Sequence, residues 1–302
     1  MPSQPDPRVS IVVASRDRRE QLLDSIPRHL ALAERPQVIV VDNASSDGGP
    51  DAIERVHPEV HVIRLDENRG GAGRNVGVRA AETPYVAFSD DDSWWRPGAL
   101  SRAADLLDAD PRLALIQARI LVGPEAREDA ICAEMARSPL PAAEGQVGHP
   151  LLSFVACAVV VRRSAFLAAG GFPSRFGVGG EEEIIGWDLV ADGWLLSYVP
   201  EIVGHHCPPR TPGGRPERRE IGIRNTLWTT WLRRPVGAAT ARTTRELRRF
   251  PRDRVTARGI ARAVGGLPWI LRERRVSPPH VEAMRRMLEE QQLASESRRY
   301  VD

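Results

Sequence analysis

An α/β fold built on a largely parallel sheet is what this sequence predicts, and three observations carry the prediction. Short apolar runs that read as strands alternate with helical periodicity four times within roughly the first 90 residues, the pattern of a sheet covered on both faces. Acids and glycines gather where those runs end, above all at Asp42 and at Asp90-Asp91-Asp92. In open α/β sheets that carboxyl edge is where ligands bind.

The elements follow in order. After a proline-rich leader, residues 9–14 read as a strand. Ser15-Arg16-Asp17 opens a helix to about residue 32, with Leu22, Leu23, Ile26 and Leu30 on one face. Residues 38–41 form the next strand, closed by Asp42-Asn43-Ala44-Ser45-Ser46-Asp47-Gly48. A helix near 49–56 and a strand over 60–65 come next. The segment from Asn68-Arg69-Gly70 to Arg74-Asn75-Val76-Gly77 leads into a helix to about residue 81. Pro84 then bounds a buried strand over 85–88, which ends in the three aspartates and in Trp94-Trp95. A helix near 99–107 and a strand over 113–122 follow. Residues 124–149 are polar and read as a connecting region with one short helix. A strand over 154–161, a helical turn over 163–169 and a glycine loop over 177–180 lead to Glu181-Glu182-Glu183, which start a helix to about residue 191. A short strand over 195–199 and a segment over 202–206 that carries His205-His206 precede a linker of Pro, Gly and Arg over 208–216. Helical patterns then cover 221–232, 240–248, 255–263 and 279–293. The expected organisation is a sheet domain over 1–207 and an Arg-rich helical extension over 208–302.

The bulk numbers narrow the function. A chain of 302 residues, 42% hydrophobic and 27% charged, can bury a sizeable core. Its longest apolar run, over 151–161, is too short to span a bilayer. The N-terminus lacks the apolar stretch of a signal peptide, so a cytosolic protein is expected. Cys132, Cys157 and Cys207 are widely spaced and suggest neither a disulfide framework nor a zinc site. All 42 basic residues are Arg, which excludes a P-loop lysine, a lysine Schiff base and a lysine general base. The net charge of +2 divides unevenly: residues 207–302 hold 22 Arg against 10 acids, and residues 1–206 hold 20 Arg against 30. Two regions with different partners are implied.

The three aspartates are the first functional candidate. Adjacent carboxylates about 6 Å apart repel by roughly 2–3 kcal/mol at an effective dielectric near 20, and a bridging cation relieves that cost. Hard divalent ions such as Mg²⁺ or Mn²⁺ accept oxygen ligands and leave positions open for phosphate oxygens. A solvated acidic turn is the competing reading. Asp42 suits a ribose or base contact, or equally an Asx turn.

The glycines over 70–77 give G-x-G-x-x-x-G, one residue too long for a dinucleotide fingerprint. They follow the third strand, and three acids downstream would repel a dinucleotide's phosphates. Arg69 and Arg74 beside them suit a diphosphate. Asp90-x-Asp92-Ser93 is also similar to the nucleophile motif of haloacid-dehalogenase phosphatases, in which an Arg would have to replace the usual cationic partner.

Glu181-Glu182-Glu183 either favour a helix N-terminus through the macrodipole or supply a general base whose pKa burial raises. His205-His206 could supply an imidazole ligand. Trp94, Trp95 and Trp187 are either core or sugar-stacking walls.

Taken together, five stretches resemble the family 2 glycosyltransferases with a GT-A fold. They are residues 9–16; Val40-Val41-Asp42-Asn43 through Gly48; Asn68-Arg69-Gly70 through Gly77; Phe88-Ser89-Asp90-Asp91-Asp92; and Gly180-Glu181-Glu182 through Tyr198-Val199-Pro200 to His205. Each is weak alone, and their shared order over about residues 8–207 is specific. The resemblance implies an inverting transferase that takes a UDP-, dTDP- or GDP-linked sugar and passes it to a carbohydrate or lipid-linked hydroxyl. It implies a Mn²⁺ or Mg²⁺ ion held by Asp90 and Asp92, with His205 as third ligand and Asp91 near the ribose. Asp42 would meet the base and Arg74 the nucleotide. Ser15, Arg16, Asn68 and Gly70 would complete the donor site.

The family's Glu-Asp pair falls on Glu181 and Glu182, so Glu182 becomes the base, one methylene longer than the usual aspartate. The family's fourth acid is Ser93 here. A sugar-nucleotide-binding protein without turnover is the non-enzymatic alternative, and the intact acids argue against it. For the Arg-rich helices the sequence offers peripheral contact with an anionic membrane, or packing and self-association. No nucleic-acid module is recognisable.

Overall fold

The computed structural model describes residues 8–208 and 216–294. Most of the expected linker therefore lies outside the described residues. The elements run β1 (Val9–Ser15), α1 (Arg19–Leu30), β2 (Gln37–Asp42), α2 (Gly49–Val56), β3 (His61–Arg64), α3 (Gly73–Ala80), β4 (Tyr85–Ser89), β5 (Ser93–Trp95), α4 (Ala99–Ala109) and β6 (Leu113–Val122). They continue with β7 (Arg127–Glu128), α5 (Ala130–Ala136), β8 (His149–Pro150), β9 (Val159–Arg162), α6 (Arg163–Ala168), α7 (Glu181–Ala191) and β10 (Leu195–His206). Five helices follow: α8 (Pro216–Arg233), α9 (Val236–Arg249), α10 (Arg254–Gly265), α11 (Leu267–Glu273) and α12 (Pro279–Ala294).

The strands form a single sheet in the order β3-β2-β1-β4-β9-β6-β10-β5, with β7 beside β6 and β8 beside β10. The first four strands pair in parallel, and β1, β2 and β4 are buried almost throughout, as strands covered on both faces are. Their C-terminal ends, at Ser15, Asp42 and Ser89, lie at one edge of the sheet.

The second half departs from an all-parallel reading. Strand β9 runs antiparallel to both β4 and β6, and β5 runs antiparallel to β10. Between β6 and β9 the chain first pairs β7 with Leu121 and Val122, at the carboxyl end of β6, and then crosses to the amino end, where β8 pairs with Ser197 and Tyr198 near the start of β10. It is back at the carboxyl edge at Cys157, whose carbonyl accepts Ser93 Oγ, so it enters β9 from that end and runs back. The five residues before Val159 are not strand, because Ala156–Ala158 turn as a short 3-10 helix beneath the acidic loop.

The strand expected over 195–199 runs on through His206 as β10, with its pairing to β6 shifted between Val199 and Val203. Helix α11 was not expected. Gly265-Gly266 and Pro268 disguise it, and Pro268 sits where a helix start tolerates proline.

The buried hydrophobic residues of the sheet and those of the C-terminal helices, including Ile223, Leu227, Trp228 and Ile270, belong to one continuous cluster. Backbone meets backbone where α7 crosses residues 152–153. A Cβ on Gly186 would lie 2.3 Å from the Leu152 carbonyl oxygen, so only glycine fits there. No helix among the described residues is long and apolar enough to cross a membrane.

Candidate active site

Three loops at the carboxyl edge are bolted together before any ligand is considered. Asp17, in the left-handed region at φ 51°, accepts the Ser46 amide at 2.7 Å, and its own amide donates to Ser45 Oγ at 2.9 Å. Asp47 accepts the amides of Arg19 at 2.8 Å and Gly49 at 2.9 Å. Asp42 is buried and accepts the Ser45 amide at 3.2 Å, which is the Asx-type turn offered above. Asn43 receives the Arg69 amide at 3.2 Å and donates to the Gly70 carbonyl at 3.3 Å. Asn68 accepts the Gly70 amide at 2.9 Å, a turn contact on an exposed side chain. Arg16 is exposed, with its guanidinium 3.4 Å from Asp17.

The turn after β4 holds the three aspartates apart. Ser93 accepts the Asp90 amide at 2.8 Å and donates to the Cys157 carbonyl at 3.1 Å. The serine that replaces a fourth acid thus shapes the turn. Asp90 pairs with the buried guanidinium of Arg74. Asp91 accepts Ser15 Oγ at 2.9 Å and Arg18 Nε at 3.1 Å. Asp92 accepts Arg18 Nη2 at 2.7 Å and lies 3.2 Å from His206 Nε2.

Burial pushes the Asp91 carboxyl up to about 6, against the pull of Arg18. For Asp92 burial also opposes charge, but the hydrogen bond and charge of His206, with Arg18, outweigh it and hold the carboxyl low. His206 is held above its ordinary value, since Asp92 overcomes the effect of burial.

Ligand atoms of Asp90, Asp92 and His206 all lie within 4.8 Å of one another. Two carboxylates and one imidazole are a donor set that suits Mn²⁺ or Mg²⁺.

The imidazole expected in that set was His205, and the structure puts His206 there instead. Successive strand residues face opposite sides of a sheet, so only one of the pair can meet Asp92. His205 pairs across from Trp94 and stacks on its ring, with centroids 5.5 Å apart and planes 6° from parallel. Arg28 covers the Trp94 ring, its Cζ 4.1 Å from the centroid. Trp94 thus already contacts an imidazole and a guanidinium, and Trp95 is core. An open cleft beside Asp92 is lined by Glu20, Gln21, Asp24, Trp94 and Cys207.

Glu181 and Glu182 approach from the other side. Gly177, Gly179 and Gly180 all have positive φ, which lets the chain turn sharply into α7. Glu181 is 1% exposed, and its carboxylate accepts the Gly179 amide. It lies against Gly71, where a Cβ would come within 2.4 Å of Glu181 Oε1. Gly71 in turn donates its amide to the Gly177 carbonyl at 2.7 Å, tying the two glycine segments together.

Burial, reinforced by the charge of Glu182, pushes Glu181 up to about 8. Glu182 is half-buried. Burial raises its pKa, and the nearby charges of Arg74 and Asp90 act on it in opposite directions. Arg74 is therefore paired with Asp90 and within electrostatic reach of the glutamate pair. Its guanidinium keeps its proton despite burial because three carboxylates surround it. Its buried Nε has no hydrogen-bond partner among the described residues. Arg18 is the residue of this cluster that sequence reasoning missed; His206 was offered beside His205, and the family resemblance pointed to the wrong member of the pair.

A model of the family described as "Glycosyl transferase family 2" matches residues 10–168, more than half of the chain. The chain belongs to glycosyl transferase family 2.

A similar member is the pre-mycofactocin glycosyltransferase of Mycobacterium tuberculosis, 31% identical over 213 residues, which cover 68% of this chain and 44% of that protein. A second is the N-acetylglucosaminyl-diphospho-decaprenol L-rhamnosyltransferase of the same species, 29% identical over 68% of this chain and 78% of that protein. The putative teichuronic acid biosynthesis glycosyltransferase TuaG of Bacillus subtilis is 32% identical over 33% of this chain. The matched regions span only 42% of TuaG and 44% of the pre-mycofactocin enzyme.

Among solved structures, the fold is similar to the mannosyltransferase PcManGT of Pyrobaculum calidifontis, in complex with GDP-Man and Mn²⁺. That likeness has a TM-score of 0.57 at 22% identity, over 97% of this chain and 77% of that one. It is also similar to TarS of S. aureus in complex with UDP-GlcNAc, with a TM-score of 0.57 at 14% identity over 96% and 93% of the two chains. The mixed sheet flanked by helices is the GT-A architecture.

Proposed function

We propose that this family 2 member transfers a sugar from a nucleoside-diphosphate donor to an acceptor hydroxyl with inversion. Glu182 is its base, and Asp90, Asp92 and His206 are its metal ligands. The observation that carries this reading is a cluster of two aspartates and an imidazole with converging ligand atoms, joined through the Arg74–Asp90 pair to the surroundings of a half-buried glutamate with a raised pKa.

Bound at the aspartates, a divalent ion would supply charge neutralisation for a departing diphosphate. The chain's own residues do the rest. Arg74 has a free Nε for a phosphate oxygen, and Ser15 with Asp91 offers polar atoms to a ribose. Asp42, at the end of β2, would meet the base. Glu182 takes the acceptor's hydroxyl proton; that oxygen bonds to the anomeric carbon as the carbon–phosphate-oxygen bond breaks, and the nucleoside diphosphate leaves. The raised pKa suits a base that must hold a proton in the transition state, for which positioned base action is worth 10²–10⁴-fold.

Glu182→Gln should lose at least about 100-fold in turnover while still binding the Mn²⁺–nucleotide complex. Turnover near that of the unaltered protein would remove Glu182 from the mechanism. A thermal-shift screen of UDP-, dTDP- and GDP-sugars with Mn²⁺ identifies the donor, which should raise Tm above the other nucleotides.

The acceptor class we favour is lipid-linked, met at the inner face of the membrane. Supporting this, Val264, Leu267 and Leu271 are exposed, Leu271 at 69%, close in sequence to Arg258, Arg262 and Arg272. Absence of co-sedimentation with anionic liposomes at low salt would exclude that contact.

A further inference from the structure

The loop that delivers Glu181 and Glu182 has little stiffness of its own. Between Phe176 and Glu181 stand Gly177, Gly179 and Gly180, and glycine loses more backbone freedom on ordering than any other residue. Something outside the loop must hold it, and the holder comes from helix α8.

Asn225 is 1% exposed, and its side-chain amide donates both hydrogens into the loop, to the Phe176 carbonyl at 2.9 Å and the Gly179 carbonyl at 2.6 Å. These two acceptors lie three residues apart, so a single amide brackets the turn. Arg224 fixes that amide by donating from Nε to Asn225 Oδ1 at 3.0 Å, and also donates to the Phe176 carbonyl. The Phe176 ring packs edge-on against Trp228, one helical turn beyond Asn225, with centroids 5.8 Å apart.

On the other side of the loop, Gly177 accepts the Gly71 amide from the donor-side glycine segment. The loop is therefore clamped between the nucleotide half of the sheet and the C-terminal helices. The helix it feeds is tied down in the same way. Arg233 makes a two-pronged pair with Asp188 at 2.6 and 2.8 Å, and Arg285 lies 3.2 Å from Glu183.

We propose that Asn225 is a positioning residue for the Glu181–Glu182 pair, so that the first C-terminal helix is a working part of the catalytic centre. The role in turnover rests on the function proposed above; the bracket itself does not. An asparagine amide suits this task because it presents two donors at fixed divergence, which a hydroxyl or a carboxylate cannot. Losing it removes the side-chain donor of the Gly179 carbonyl, leaves the Phe176 carbonyl to Arg224 alone and frees three glycines, while no group that would touch donor or acceptor is altered.

The test uses the full chain with Asn225→Ala. Hydrogen exchange read by mass spectrometry should show at least tenfold faster exchange in peptides covering 172–183, with β6 peptides unchanged. Turnover of the nucleotide sugar that the thermal-shift screen selects should fall at least tenfold in kcat. The Kd for Mn²⁺ with the matching nucleoside diphosphate should stay within twofold. A purely structural role would instead loosen the whole sheet and weaken nucleotide binding in parallel. Unchanged exchange over 172–183 overturns the bracket, and a loosened loop with unchanged kcat overturns the positioning role.

Should Asn225→Ala not fold, Asn225→Ser keeps one donor for the two carbonyls and should give intermediate exchange. Exchange equal to that of the unaltered chain then overturns the proposal. If the unaltered protein turns over no nucleotide sugar, the proposed activity fails, and the exchange comparison still decides the bracket.

Discussion

Replacing Glu181 with Gln should make the protein more stable in mild alkali and leave it unchanged in mild acid. A free glutamate titrates near 4.5, whereas burial and the neighbouring Glu182 push this one up to about 8. Between those values the folded chain holds a proton that the unfolded chain has released. The native state then binds more protons than the unfolded state, so stability falls as pH rises through that window. Each unit of the window withdraws about 1.4 kcal/mol, so the total by pH 8.5 is on the order of a few kcal/mol.

A glutamine side chain there cannot ionise and matches the protonated acid in shape; it keeps an acceptor for the Gly179 amide. Each kcal/mol moves Tm by about 2 °C in a chain of this size. Differential scanning fluorimetry from pH 5 to 8.5 should therefore show the Glu181→Gln advantage growing from near zero to several degrees. A difference that stays flat, or that shrinks as pH rises, would refute the burial argument.

Three further outcomes follow from the geometry. His206→Ala should weaken Mn²⁺ binding about tenfold by calorimetry while His205→Ala leaves it unchanged, and the reverse ranking would return the ligand role to His205. Gly186→Ala forces a Cβ to within 2.3 Å of the Leu152 carbonyl and should cost about 1–3 kcal/mol, read as a lower Tm; an unchanged Tm would mean that α7 can lift off residues 152–153 freely. Gly71→Ala places a methyl 2.4 Å from Glu181 Oε1 and should lower kcat more than it weakens Mn²⁺–nucleotide binding; weaker binding with kcat intact would put the glycine on the donor side alone.

Much of the fold was legible because local pattern and global structure agree in the first half of the chain. Helix α2 and strand β6 have the bounds read from sequence, since Pro50 and the turn residues over 42–48 mark one and an unbroken apolar run marks the other. The direction of β9 was not legible, because strand orientation depends on which end of the sheet the intervening chain occupies, and periodicity does not report that.

The exchange of His205 for His206 has a similar cause. The pairing shift between Val199 and Val203 resets which residues of β10 face the acids, and such an irregularity leaves no mark in composition. Arg18 precedes a helix, where a basic residue reads as an ordinary surface charge, so its two contacts with Asp91 and Asp92 are visible only in space. Asn225 stands more than 40 residues from the loop that it brackets.

The pairing of Arg74 with Asp90, and of Arg18 with Asp91 and Asp92, has a thermodynamic consequence. Two guanidiniums, with His206 beside Asp92, offset most of the charge of the three aspartates without an ion, so chelation should leave the fold intact. A divalent ion at Asp90 and Asp92 competes with two guanidiniums for the same carboxylates, and a diphosphate is the natural acceptor for both. A diphosphate that draws those guanidiniums away in turn uncovers the carboxylates for the ion. On the proposed function the two ligands are therefore linked: each tightens the other's binding by the same factor, commonly 5–150-fold. Mn²⁺ and the nucleotide would then load together rather than independently.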